Sequence, residues 1–380
     1  MKKQTLDLDF STAVQYHYGE FPPKGLDYIQ LVGPLTHASA ALARYDQMLR
    51  SMHNSEILLA PLRSKEAVIS SRMEGTVTTL DEVLKFEADQ ENGGSQTSPF
   101  TRTETMEVAF YQIAMRQAQE AMRNGAPLSP WLIRSAHKTL LRFGRGATKK
   151  PGEYKSEQNY LADRGKRRVL FIPASAEHLQ QGMDILFSYI NESEDVPLLK
   201  ASISHVEFEA LHPFYDGNGR IGRMLITLLL WEKGVISQPH FYVSEHLEGV
   251  REDYIEKMRN VSRNSAWTEW CVFFLDALTE QAYKNIEKAE EIGNLYEAMK
   301  VVFRDALSSP YAMTALDFMF SNPVFRNNRF TNKSGIPRPT AARFARILSE
   351  QGLLSTIEPA AGRRPAMYAF EPLLKIVRES

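Results

Sequence analysis

The sequence predicts a mainly α-helical chain of more than one domain, with only a few short strands. Apolar residues recur at helical spacing through most of the 380 residues. Strand-prone runs are confined to 169–173, 353–357 and 367–370. The length also exceeds what a single core usually serves. Hydrophobic residues at 43% and charged residues at 24% are ordinary for a soluble globular protein. A net charge of -1 excludes polyanion binding by overall charge, leaving that role to local patches.

Residues 1–25 read as an extended lead-in ending in Phe21-Pro22-Pro23-Lys24-Gly25. Residues 1–10 carry two lysines and no apolar core of a secretory signal. No apolar run approaches the length of a bilayer span, so no membrane partner and a cytoplasmic location are expected. Cys271, the one cysteine, precludes an internal disulfide and lies in the apolar helical run 267–278, where it reads as a packing residue.

A first helix is expected over 27–52, with Ile29, Leu31, Leu35, Ala38, Leu42 and Leu49 along one face. A second spans 56–73, is interrupted near Pro61 and is stopped by Gly75. Thr79 and Glu82 form a capping box for a helix over 80–86. Residues 88–105, including the polar run 91–97, read as a linker. Helices follow at 104–124 and, after Ser129-Pro130, at 131–143. The basic turn Arg164-Gly165-Lys166-Arg167-Arg168 precedes the strand at 169–173, and helices at 176–189 and 196–211 lead into the most informative stretch.

That stretch is His212-Pro213-Phe214-Tyr215-Asp216-Gly217-Asn218-Gly219-Arg220-Ile221-Gly222-Arg223, and it feeds an apolar helix that ends at Gly234. Gly217 and Gly219 allow backbone angles that turn successive N–H groups inward as an anion seat. The following helix adds its unpaired N–H groups and the positive end of its dipole. Arg220 and Arg223, three apart, lean off one face of the first turn and suit further phosphates. Asp216 is the single carboxylate that a magnesium ion needs when phosphates and water complete its shell. His212 stands where it can take a proton from an attacking hydroxyl. These parts describe transfer of a phosphorus group. His205 and Glu207 do not match the HExxH zinc spacing and read as structural.

The stretch resembles the Fic family signature, His-x-Phe-x-(Asp/Glu)-Gly-Asn-Gly-Arg-x-x-Arg, at all eight specified positions. The resemblance implies a helical Fic core with a small β-hairpin flap beneath an N-terminal helical layer. It also implies transfer of AMP from ATP to a Tyr, Thr or Ser hydroxyl of a target protein. By that resemblance His212 is the general base, Asp216 the magnesium ligand and Phe214 the core anchor of the loop. Asn218 with the backbone of Gly217 and Gly219 cradles the α-phosphate, Arg220 and Arg223 hold the outer phosphates, and Tyr242 and Tyr254 wall the adenine pocket. Ser70-Ser71-Arg72-Met73-Glu74-Gly75 is similar to the family's inhibitory motif, with Ser70 fixing a helix face from which Glu74 competes for Arg223. Val169, Leu170, Phe171 and Ile172 resemble the flap that registers a target segment as an added strand. A homodimer is expected by the same analogy. Where many relatives have Arg after Gly-x-Tyr this chain has Lys155, to which no role attaches. Two alternatives stand beside transfer: removal of AMP by water positioned on Glu74, and a DNA-binding regulator whose Fic core only senses nucleotide.

Beyond a helix at 280–306, residues 321–380 hold ten Lys and Arg against four Asp and Glu. Helices at 312–320 and 339–350 precede the two C-terminal strands, joined by a turn containing Ala361-Gly362-Arg363-Arg364-Pro365. The order resembles a winged helix-turn-helix, with Arg338, Arg343 and Arg346 toward DNA and Arg363 and Arg364 on the wing. A protein partner is the alternative for this module. The linear division is 1–100 for the N-terminal helices, 101–285 for the catalytic core and 286–380 for the linker helix and winged-helix-like domain.

Overall fold

The computed structural model describes residues 8–52, 54–90, 103–163, 167–362 and 364–378. Of the predicted linker at 88–105, residues 91–102 lie outside them, as do the turn residues 164–166 and Arg363, while 88–90 end α4 and 103–105 begin α5 and are helical instead. In chain order the elements are β1 (Val14–Gln15), α1 (Tyr28–Ser51), α2 (Ser55–Leu58), α3 (Ala60–Met73), α4 (Leu80–Gln90), α5 (Thr103–Arg123) and α6 (Pro130–Leu140). Then come β2 (Leu161–Asp163), β3 (Arg168–Ile172), α7 (Ala176–Glu192), α8 (Pro197–Leu211), α9 (Asn218–Glu232), α10 (Ser244–Gly249), α11 (Arg251–Asn264) and α12 (Trp267–Leu307). The end of the chain adds α13 (Ala312–Ser321), β4 (Val324–Arg326), α14 (Asn327–Lys333), α15 (Arg338–Glu350), β5 (Leu354–Glu358), β6 (Met367–Phe370) and α16 (Glu371–Arg378). The fold is mainly helical, as predicted, with two small sheets ordered β1-β3-β2 and β4-β6-β5. No helix among the described residues is long and apolar enough to cross a membrane.

Local chemistry sets the helix ends. The interruption near Pro61 separates α2 from α3 at Leu59, and Pro61 sits in the first turn of α3, where a missing N–H breaks no helical bond. At its other end α3 is closed by Gly75, whose φ of 82° suits glycine. The Thr79–Glu82 capping box is present in both directions: Thr79 N–H donates to Glu82 Oε2 at 3.0 Å and Glu82 N–H to Thr79 Oγ1 at 3.2 Å. Such a cap stabilises a helix by about 1 kcal/mol, and α4 runs on past the expected residue 86 to Gln90.

The lead-in is more ordered than the sequence implies. β1 pairs in parallel with β3, Val14 opposite Phe171 and Gln15 opposite Ile172. Just beyond it the Tyr16 hydroxyl donates to Glu207 Oε1 at 2.7 Å, and His17 Nε2–H donates to Glu207 Oε2 at 2.8 Å. Glu207 is fully buried on α8, so this pair of bonds both satisfies its carboxylate and ties down the strand.

By internal packing the chain forms two compact units, Met1–Ala43 with Ile113–Ala282, and Arg44–Gln112 with Tyr283–Ser380. The boundaries fall inside α1, α5 and α12. This grouping cuts across the linear division at 100 and 285, because the second unit is assembled from stretches far apart in the chain.

The first unit is built on α8 and α9, which pack against each other, with α7 and α11 on α8 and α6 on α9. Trp270 of α12 is fully buried and donates its indole N–H to Ser202 O of α8 at 2.9 Å. Cys271 beside it is buried, and desolvation pushes its thiol up to about 12. Val14, Phe171 and Ala210 close a small apolar cluster under the β1-β3-β2 sheet.

In the second unit α4 lies on β4, where Leu84 and Ala88 share a core with Val324, Met367, Ala369 and Leu374. α3 packs on α13 and α16. Arg326, 2% exposed, donates to Asp89 Oδ1 and Glu358 Oε2, both at 2.6 Å, and to Pro365 O at 2.8 Å. Arg364 reaches the same two carboxylates at 3.1 and 3.3 Å. Removing the central cation leaves Arg364, among the described residues, as the cation paired with the two acids, and both acid side chains are about a third exposed, so water recovers part of the loss. Arg326→Met is therefore expected to lower the unfolding free energy by about 2 kcal/mol, on the scale of bonds to charged groups. Urea titration of the variant against the parent measures it.

Candidate active site

α8 ends at Leu211, and His212 caps it in the left-handed conformation (φ 46°, ψ 62°), its N–H bonded to Phe208 O at 3.0 Å. A short loop returns to Gly217, which caps α9 at φ 79°. A side chain at 217 would be strained by that angle and would stand 3.2 Å from Leu140. One turn into α9, a Cβ on Gly222 would lie 2.2 Å from Glu209 Oε1 and 3.3 Å from the His205 ring, so the glycine lets α9 lie close on α8.

The loop is held from within and from behind. Asn218 Oδ1 accepts from Phe214 N–H and Asn218 Nδ2 donates to Phe214 O, each at 2.8 Å. Its side chain is thereby spent on shaping the loop. Phe214 is fully buried and stacks on the His137 ring at 3.7 Å, as an anchor would.

His137 has no counterpart in the sequence reading. Gly152 N–H donates to its Nδ1 at 2.8 Å, so Nε2 carries the proton and donates to Asp216 O at 2.9 Å. Burial pushes its pKa down to about 4, Arg220 pushes the same way, and the bond to Asp216 opposes both. The ring is thus a neutral strut behind the loop. Lys155 and Asn159 were likewise unassigned: Lys155 Nζ donates to Leu211 O at 3.0 Å, and Asn159 Nδ2 to Phe214 O at 3.1 Å.

Arg220 and Arg223 are 2% and 3% exposed in the first turns of α9. Arg220 Nη2 meets Asp216 Oδ1 at 3.3 Å, while its Nε and Nη1 have no acceptor among the described residues. Buried guanidinium donors without acceptors, beside the N–H groups of a helix start, call for an anion. Asp216 keeps its side chain 32% exposed. Among the described residues no three His, Cys, Asp or Glu are grouped to hold a metal. This donor set fits an ion that takes one carboxylate and completes its shell from phosphates and water, and does not fit an ion held by protein alone.

His205 lies behind Arg223. Its Nδ1–H donates to Gly222 O at 3.2 Å and its Nε2 accepts from the Tyr254 hydroxyl at 2.7 Å. Tyr254 is 3% exposed and packed against Trp270. Its hydroxyl braces His205. Tyr242 is buried as well. β3 is the central strand of its sheet, paired antiparallel with β2, Val169 and Phe171 are buried, and β1 and β2 are the outer strands. Residues 169–172 therefore offer no open edge, and an added strand would have to pair with β1 or β2.

The other predicted residues lie in the second unit. Ser70 is buried within α3, Glu74 caps it and Gly75 follows. Arg338, Arg343 and Arg346 are exposed on α15, Arg346 pairing with Glu350 at 2.8 Å.

Comparison with known proteins agrees with the signature. Residues 32–120 match the Fic/DOC family N-terminal region and residues 127–230 the Fic/DOC family domain, together 193 of the 380 residues. The chain belongs to the Fic/DOC family. A protein adenylyltransferase, fic-1, of Caenorhabditis elegans is 29% identical over 87 residues, 20% of this chain and 17% of that protein. A probable protein adenylyltransferase of Aquifex aeolicus is 32% identical over 68 residues, 18% of this chain and 21% of its own length. The matched stretches thus span less than a quarter of those curated relatives. A Fic family protein from Desulfovibrio desulfuricans shares the fold with a TM-score of 0.56 at 21% identity, over 92% of this chain and 98% of that one. Fic-1 of C. elegans (residues 134–508) gives 0.52 at 17%, over 69% and 73%.

The support behind this Fic site titrates. Burial first, then the charge of Arg223, pushes the His205 pKa from 6.5 to about 3. In the unfolded chain the ring takes a proton as pH falls below 6.5, whereas the folded ring stays neutral until about 3, so stability drops across that window. His205→Gln lacks this titration, and the difference in Tm between variant and parent is expected to narrow as pH is lowered through it. Thermal unfolding followed by circular dichroism across that pH range checks the slope.

Proposed function

We propose that this chain transfers AMP from magnesium-bound ATP to a Tyr, Thr or Ser hydroxyl of a target protein, and that Glu74 restrains it. The observation that carries this is Arg220, a buried cation with two donors lacking acceptors, seated in the first turn of the helix that follows His212. A polyphosphate answers that demand, and the adenylyltransferase relatives favour ATP as its source.

In the reaction the hydroxyl oxygen bonds to the α-phosphorus while the bond from that phosphorus to the bridging oxygen breaks. Pyrophosphate leaves with the electron pair, and the hydroxyl proton passes to the imidazole of His212. Arg220, Arg223 and the N–H groups at the start of α9 hold the phosphates and favour the charge that builds during transfer. Asp216 would hold the magnesium ion, which when bound neutralises charge on the phosphates. Phe214 and His137 keep the loop in register behind these groups. Restraint by Glu74 is supported by the likeness of residues 70–75 to the family's inhibitory motif.

The C-terminal module supports a second, separate role as a winged helix that docks on duplex DNA. Its order α13-β4-α14-α15-β5-β6 and its antiparallel β4-β6-β5 sheet favour this, with Arg338 and Arg343 exposed on α15. The pairing of Arg364 with Asp89 and Glu358 weighs against a contact from the wing.

With radiolabelled ATP and a cell lysate as acceptor, His212→Ala is expected to lose transfer by about 100-fold or more, and Glu74→Gly to exceed the parent. Equal labelling by all three would sink the assignment. For the module, duplex binding should weaken steeply with salt and the double variant Arg338→Glu, Arg343→Glu should abolish it; an unchanged isotherm excludes α15 as the DNA surface.

A further inference from the structure

We infer that Lys155 and Asn159 are positioning residues that set the imidazole of His212 by gripping the backbone on both sides of it, an inference that rests on His212 being the base proposed above. His212 occupies a left-handed conformation, which is unfavourable for a residue with a side chain. Something must hold it there.

Four consecutive carbonyls, those of residues 211 to 214, face these two residues. Lys155 Nζ donates to Leu211 O at 3.0 Å and the Lys155 backbone N–H to Pro213 O at 2.8 Å. Asn159 Nδ2 donates to Phe214 O at 3.1 Å and lies 3.5 Å from His212 O, the longest of the set. The two are joined to each other, Lys155 Nζ donating to Asn159 Oδ1 at 2.8 Å. Neither touches the reacting groups through this arrangement; both act on the chain that carries His212.

The choice of lysine is informative. Its side chain is 3% exposed, and burying an ammonium is unfavourable unless its donors are satisfied. Burial alone lowers its pKa, to about 7. Its side-chain acceptors are a loop carbonyl and Asn159, both neutral, so the buried cation is spent on the geometry of this turn and not on an ion pair. Displacing a catalytic group by a fraction of an ångström to 1 Å costs up to about 100-fold in rate without weakening substrate binding in proportion. That separates positioning from binding.

The test measures kcat and KM for ATP in the full-length chain, in whichever of the parent or Glu74→Gly backgrounds gives the higher transfer. Lys155→Met keeps the backbone bond to Pro213 and removes the side-chain donors. It is expected to lower kcat by about 10- to 100-fold with KM little changed. Lys155→Arg keeps a cationic donor and is expected to retain most of the rate that Met loses. Asn159→Ala leaves Lys155 in place and is expected to show the same split in milder form, so it decides the matter if Lys155→Met fails to fold. A kcat equal to the parent in both Lys155→Met and Asn159→Ala, or a rise in KM at constant kcat, overturns the inference. His212→Ala is run beside them: if it is inactive while Lys155→Met is fully active, only the role of the clamp falls. If His212→Ala is itself active, the proposed function falls instead.

Discussion

The close approach of α8 to α9 at Gly222 is the constraint on which the site depends. With a methyl group there, the Glu209 carboxylate would have to swing aside and the His205 ring give by a few tenths of an ångström, so the bare backbone of α9 at this point is what lets those α8 side chains lie against it. The proximity of the two helices brings together two unlike helix ends. His212 stands at the carbonyl end of α8, where positive charge is favoured, and Arg220 stands in the first turn of α9, the positive end of that helix, which favours an anion. The proton acceptor and the phosphate seat proposed above thus share one short turn because of how the backbone is folded there.

Much of this was legible in the sequence, for identifiable reasons. Capping residues, Pro61 and Gly75 act locally, so the breaks and ends of α2, α3 and α4 could be read from adjacent letters. The stretch from His212 to Arg223 was legible because its glycines, carboxylate and cations are contiguous. His137, Lys155 and Asn159 were not, since they meet the loop only through the fold, from positions 55 to 79 residues away. β1 escaped notice because two residues have no periodicity to read, and its place is decided by the Tyr16 and His17 bonds to a carboxylate about 190 residues further on. The bond of Tyr254 to His205 was hidden for a related reason: an aromatic residue in an apolar run looks the same whether it faces a ligand or a histidine.

Charge counting along the chain misleads in the same manner. The excess of basic residues beyond position 320 suggests a bare cationic surface, yet Arg326, Arg364 and Arg378 are engaged by Asp89, Glu358, Asp81 and Glu371. Two of those four acids come from α4, far outside the window that was counted. Arg338 and Arg343 on α15, by contrast, are exposed.

The seating of α4 on the C-terminal sheet has a practical bearing on how the chain can be dissected. Leu84 and Ala88 share a core with Val324 and Met367, and α3 leans on α13 and α16. A protein shortened before residue 310 would bare those apolar side chains to water and leave Asp81 and Asp89 stripped of their arginine counterions. The residues around Glu74 would lose their scaffold along with the module. Truncation thus alters two things at once, and single substitutions on the outer face of α15 are the cleaner way to silence the C-terminal region while sparing the helix that ends at Glu74.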